Sequence, residues 1–169
     1  MAETGKSVYL VDPYSDPVVV RIDGRASFQN SACLRDFVNE MIRQHKSRFV
    51  LDFQQCVSMD STFLGVLAGS ALELRKQTPA GSLVLARVGP RNLELIRNLG
   101  LHRLLTVDAG DFTMSFGKCD TTLYCPERTE LESARLVLEA HENLVSVDEA
   151  NRAKFQDVLA FLKNRVEQR

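Results

Sequence analysis

The sequence predicts an α/β protein in which helices pack on a mixed β-sheet, followed by a C-terminal helical extension. Three observations lead there. From Ser7 to about Asp108, short β-rich runs alternate with longer segments of helical periodicity. The first two runs are joined by a connection too short for a parallel return, so they read as an antiparallel pair within a sheet that is otherwise strand–helix–strand in pattern. After Pro126, two Ser/Thr-x-x-Glu sequences announce further helices.

The strands SVYLV and PVVVRI flank Asp12, Pro13, Tyr14, Ser15, Asp16 and Pro17, whose two prolines and two aspartates cannot continue a ladder. Between Asn30 and Lys46, Leu34, Phe37, Val38, Met41 and Ile42 recur at i, i+3, i+4, i+7 and i+8, one apolar helical face. RFVLDF, from Arg48 to Phe53, is a strand whose continuous apolar centre predicts burial from both sides. A second helix over Ser61 to Gln77 carries Leu64, Leu67, Ala68 and Ala71, and Thr78, Pro79, Ala80 and Gly81 stop it. SLVLAR, Ser82 to Arg87, is the next buried strand. A short helix opens near Pro90 and ends at Gly100, and Leu104 to Val107 is a last short strand.

These elements assign residues 1–108 to one domain and 109–169 to the extension. In the latter, Phe112, Met114 and Phe116 alternate with polar residues as an extended segment does. Cys119 to Pro126 gives no clear pattern. Capping boxes at Thr129/Glu132 and Ser146/Glu149 imply two helices, the first carrying Leu131, Leu138 and Val145, the second Phe155, Val158, Leu159, Leu162 and Val166. That second stripe suits packing on its own domain or on a sister chain, which makes a homodimer through the C-terminal helices an expected partner arrangement.

With 169 residues, 21 Lys and Arg against 22 Asp and Glu and a net charge of -1, the chain lacks the concentrated basic surface that direct DNA binding requires. No apolar run approaches the roughly 20 residues that span a bilayer, and MAETGKS has no leader pattern, so a cytoplasmic location is expected. Cys33, Cys56, Cys119 and Cys125 form no Cys-x-x-Cys pair and no zinc spacing with His45, His102 or His141; buried free thiols are expected, with no metal and no cofactor.

The chemically informative stretch is the junction QQCVSMDSTFLGVL. Asp60, Ser61 and Thr62 stand where a helix begins, and each can accept a hydrogen bond from the free amides of the first turn. Such residues serve as caps. The same geometry also suits a hydroxyl that a kinase can reach, because the helix dipole favours a phosphate there.

VVVRIDGRASFQNSACLRDFV, then RFVLDFQQCVSMDSTFLGVLAGSALELR and SLVLARVGPRNLELIRNLGLHRLLTV, resemble the STAS domain of anti-sigma-factor antagonists, over about Ser7 to Asp108. The resemblance implies a STAS-like mixed sheet and a partner that is a serine/threonine kinase-type anti-sigma factor or a related regulator. It puts Asp60 at the family's Asp position and Thr62 at the phosphoacceptor position, with Ser61 as the alternative, and it groups Asp60, Ser61, Thr62, Phe63 and Ser27 as partner-binding. The family pattern has Gly where Phe63 stands and often Asp where Ser27 stands.

The resulting expectation is a non-enzymatic partner-switching module that binds a regulator when Thr62 is unmodified and releases it when Thr62 carries a phosphate. The alternative is a STAS accessory subunit that binds the ATPase component of a membrane transporter with the same helix face. Against a small enzyme, no phosphate-cradling Gly-rich loop appears at a strand-to-helix junction, and Gly65 and Gly69 fall inside the second helix, where their spacing permits close packing.

Overall fold

The computed structural model describes residues 8–108 and 119–168; the extended segment expected at Phe112, Met114 and Phe116 lies outside them. Strands β1 (Tyr9–Asp12), β2 (Val18–Ile22), β4 (Arg48–Asp52), β6 (Ser82–Ala86), β7 (Thr106–Val107) and β8 (Thr121–Thr122) form a six-stranded sheet in the order β7-β6-β4-β2-β1-β8. β2, β4, β6 and β7 run parallel, while β1 is antiparallel to both β2 and β8, so the sheet is mixed as its turn chemistry requires. Two short strands that the sequence pattern did not reveal, β3 (Gly24–Ala26) and β5 (Cys56–Met59), pair in parallel beside the sheet. Each is too short to establish a period-2 signal.

Helices α1 (Ser31–Arg43), α2 (Ser61–Arg75) and α3 (Pro90–Asn98) follow β3, β5 and β6. The main core joins Val18, Val20 and Ile22 of β2 and Phe49 and Leu51 of β4 to Leu34 and Val38 of α1 and Phe63, Leu64 and Leu67 of α2. The intervening Val19 and Val50 belong to a second cluster with Ala86 and Cys119, which is how the continuous apolar centre of β4 is buried on both faces. Fully burying each such side chain contributes about 1.5–3 kcal/mol. Gly100 ends the α3 region with φ 76°, the left-handed conformation expected of a glycine there.

The C-terminal segment departs from expectation in its helix count. α4 (Glu130–Val147) begins with the capping box of Thr129 and Glu132, as the sequence predicts. Ser146, however, lies inside α4, and α5 (Asn151–Lys154) and α6 (Gln156–Gln168) replace a single second helix. Asp148 follows α4 as its C-cap, and its Oδ1 accepts from the Ala150 amide at 3.0 Å in the turn that leads to α5. The buried face of α4 is Leu136, Ala140, His141, Leu144 and Val145, whereas Leu131 and Leu138 are half-buried. On α6, Leu159 and Leu162 are buried, whereas Val158 and Phe161 are exposed.

α4 lies along α2 at a distance set by two glycines. A Cβ on Gly65 would stand 2.2 Å from the Ala140 carbonyl oxygen, and one on Gly69 would meet the Asn143 amide nitrogen at 2.5 Å. In place of that clash, Asn143 Nδ2 donates to the Gly65 carbonyl at 3.1 Å. Ala32, Val66, Leu136 and Ala140 fill the groove between α1, α2 and α4. Asn151, fully buried, donates to the carbonyls of both Leu99 and Leu144, tying the α3 end to α4. Ion pairs Arg35–Glu139 and Arg128–Asp36 fasten α4 and its lead-in to α1.

The cysteines are a correction. Cys33, in α1, is bonded to Cys125, just before α4, across 92 positions of sequence; only Cys56 and Cys119 are free thiols. No local spacing marks such a pair, because the partners meet only after α4 has docked. Burial pushes the thiols of Cys56 and Cys119 up to about 11.

Gly65→Ala is expected to lower unfolding stability in urea by about 1–3 kcal/mol through overpacking against the α4 backbone. Gly89→Ala, where an added Cβ would meet nothing within 4 Å, is expected to cost less, only the part of about 1 kcal/mol by which Gly outranks Ala as the N-cap of α3. Equal midpoints for the two variants would remove the close-approach account.

Candidate functional site

The site is built around the start of α2. Asp60 is extended, with φ -112° and ψ 175°, and caps the helix: its Oδ1 accepts from the Phe63 amide at 2.9 Å. Its other oxygen, Oδ2, accepts from the Phe28 amide at 2.8 Å, so one carboxylate fastens the loop between β3 and α1 to the helix start. That loop is closed from within. Asn30 Oδ1 accepts from the Ser27 amide and the Tyr9 hydroxyl, and the Ser27 carbonyl accepts from the Ser31 hydroxyl. Ser27, half-buried, spends its own hydroxyl on the Gln29 amide.

The structure separates the two adjacent hydroxyls. Thr62 is only 4% exposed, which corrects the expectation that its side chain faces water at the helix mouth. Its position explains this: Thr62 precedes by one turn Val66, which is packed in the groove with Ala32 and Leu136. Ser61, one turn before Gly65, remains partly exposed. Phe63 is fully buried and meets Phe53 edge-on, with ring centroids 6.2 Å apart, so it belongs to the core and is closed to a partner. Large apolar groups that do reach solvent near the start of α2 include Phe28 on the tethered loop, Val57 on β5 and Leu95 of α3, which lines a pocket with Asp60.

The Ser61 hydroxyl meets a residue that sequence reasoning left unassigned. His141 of α4 places Nε2 2.9 Å from Ser61 Oγ. Its Nδ1 lies 2.7 Å from the Val137 carbonyl, which can only accept. In the neutral ring the proton therefore sits on Nδ1, and Nε2 accepts from Ser61. The ring is 4% exposed and packs edge-on against Phe155. A partial signal was present: Leu136, Ala140 and Leu144 recur at helical spacing and put His141 at the edge of their stripe. Nothing in the sequence told which serine it would meet, 80 positions away.

A pocket of about 510 Å³ opens at this seam. Asp60, Ser61 and Leu64 form its α2 wall, Leu95 and Asn98 its α3 wall, and Lys154 and Phe155 the wall supplied by the C-terminal helices. Lys154 Nζ donates to the Asn98 carbonyl. Neither Lys154 nor Phe155 was expected at the site. Among the described residues no cluster of His, Cys, Asp or Glu could hold a metal ion, and no helix is long and apolar enough to cross a membrane.

Comparison with known proteins gives the fold its class. A family described as "Mlab, STAS domain" matches residues 11–106, more than half of the chain, and the protein belongs to the STAS domain family. Among solved structures it is similar to the anti-sigma factor antagonist SpoIIAA in its unphosphorylated form, with TM-score 0.50 and 20% identity, covering 62% of this chain and 89% of that one. It is also similar to the Bacillus cell fate determinant SpoIIAA in its phosphorylated form, with TM-score 0.49 and 22% identity over 61% of this chain and 92% of that one. No curated protein matches the chain.

Asp60→Ala removes both the helix cap and the loop tether. A loss of about 1–2 kcal/mol in denaturant unfolding is expected for the cap, with faster amide exchange at Phe28 as well as Phe63. Acceleration at Phe63 alone would show that the loop does not depend on the carboxylate.

Proposed function

We propose that the protein is a non-enzymatic binding module of the anti-sigma-factor antagonist kind, whose regulator binds around the start of α2 and is released when Ser61 is phosphorylated. The carrying observation is that Ser61, at the capped N-terminus of α2 and on the wall of the pocket, is partly exposed, while Thr62 is buried. A phosphate brings a charge of about -1.5 to -2 at pH 7. At position 62 that charge would enter a packed groove at the large cost of burying an unpaired ion. At position 61 it stands on a partly exposed residue at the positive end of a helix.

The reading transfers the acceptor from Thr62 to its neighbour and narrows the partner surface. Asp60 holds the loop, Ser27 closes it, and Phe28 and Val57 supply exposed apolar contact beside the switch. Thr62 and Phe63 act from beneath by fixing the helix in the core. The regulator is a serine/threonine kinase-type protein or a relative of one, and its output would be a factor that it otherwise inhibits.

Two measurements test this. Fragment mass mapping of protein from its own cells is expected to find phosphate on Ser61 and none on Thr62. In a pulldown with the captured regulator, Ser61→Glu is expected to weaken association at least about tenfold, the scale of one lost charged contact, while Ser61→Ala retains it. Equal retention of both variants overturns the switch. Co-purification with a transporter ATPase and an unmodified Ser61 would assign the accessory-subunit role instead.

A further inference from the structure

The C-terminal helices place a buried imidazole on the one hydroxyl that the proposed switch uses. From this we infer that α4 is a built-in reader of Ser61 phosphorylation, with His141 as the residue that holds the phosphoryl group. The inference rests on the reading of Ser61 as the phosphoacceptor, and its chemistry follows from the His141 geometry.

In the unmodified chain Ser61 donates to Nε2, and Nδ1 is committed to the Val137 carbonyl. Replacing the hydroxyl proton by a phosphoryl group removes the donor and sets anionic oxygens before a nitrogen lone pair. That arrangement is repulsive while the ring is neutral. Uptake of one proton from water at Nε2 reverses it, because the imidazolium donates to a phosphate oxygen while Nδ1 keeps its bond to Val137. To admit a phosphate oxygen against Nε2, Ser61 Oγ must draw back from its 2.9 Å contact. A free imidazole titrates near about 6.5 and the second step of a phosphoserine near about 6, so each charge favours the other around neutral pH.

The neighbouring charges favour the same outcome. Lys154 of α5 stands on the wall of the pocket that Ser61 lines, and α3 contributes only Leu95, Asn98 and Leu99 there. The one anion on this wall, Asp60, already accepts from two backbone amides. Glu142, next to His141 in sequence, lines a different pocket with Arg152 and Lys163. The imidazole on Ser61 and the lysine of the pocket it lines therefore both come from the C-terminal helices. Phosphorylation would tighten their grip on α2 while altering the surface offered to a partner, and the phosphorylated state would differ in shape as well as in charge.

The sign with pH follows from linkage. An imidazolium that donates to the phosphate strengthens docking while the ring is charged, and this strengthening is lost as rising pH removes the proton. Full-length protein with phosphoserine installed at position 61 during translation needs neither kinase nor partner, so its behaviour is independent of the pulldown described above.

At pH 7, nitrogen-15 shifts of the His141 ring are expected to change from a neutral tautomer to imidazolium on phosphorylation. Amide-exchange protection along α4 is expected to rise about tenfold, the scale of one charge-assisted hydrogen bond. Both changes should vanish at pH 9, and the gain in protection should be absent in phosphorylated His141→Gln. A ring that stays neutral at pH 7, or α4 protection that is unchanged or falls on phosphorylation, overturns the reader. The ring measurement uses the native residue, so it decides the matter even where His141→Gln fails to fold. Absence of phosphate on Ser61 in cells would instead overturn the reading on which the reader rests.

Discussion

The close approach of α4 to α2 is the constraint on which the site depends. Two helices normally lie 8–10 Å apart, separated by their own side chains. Here the missing side chains at Gly65 and Gly69 let the backbone of α4 enter the space that a Cβ would occupy. The approach does more than bury area. It brings His141 within a hydrogen bond of Ser61, lets Asn143 reach the Gly65 carbonyl, and carries Phe155 onto the His141 ring. With a bulkier α2 face the same α4 would stand off, and the imidazole would lose its partner.

Geometry at the helix cap then determines which hydroxyl is chemically available. Asp60 fixes the phase of α2 by binding the Phe63 amide, and each later side chain takes its direction from the helical repeat. Phe63 points into the core, Thr62 into the groove, and Ser61 toward the pocket and α4. A one-residue difference in sequence is therefore a difference between a buried side chain and a partly exposed one.

Much of the domain was legible from its residues, and the reasons are local. The β-rich run of β2, the apolar centre of β4, the prolines before β2 and the Pro90–Gly100 bracket of α3 all act through near neighbours, and the structure follows them. The site was legible up to the cap. Beyond that, the exposed position predicted for Thr62 failed because motif position cannot tell which side of a helix start a third helix will cover. The Cys33–Cys125 bond and the Ser61–His141 contact were invisible for the same reason, since their partners stand 92 and 80 positions apart and meet only through α4 docking. Ser146 misled because its capping-box spacing lies inside a helix whose end is set by Asp148 and the buried Asn151.

In the proposed role these contacts would make the C-terminal helices part of the partner-binding surface. Lys154 and Phe155 form a wall of the pocket beside Ser61, and Arg35, Asp36 and Cys33 of α1 are all engaged by the chain around α4. A partner approaching the start of α2 thus meets a composite face, with Asp60, Phe28 and Val57 from the STAS fold on one side and the cationic end of α5 on the other. Specificity on such a face is a difference between affinities. A regulator shaped for a STAS domain without these helices would have to accommodate Lys154 and Phe155 at the pocket edge. One shaped for this chain could use them, and in the proposed role the helices after β8 would then help discriminate between partners.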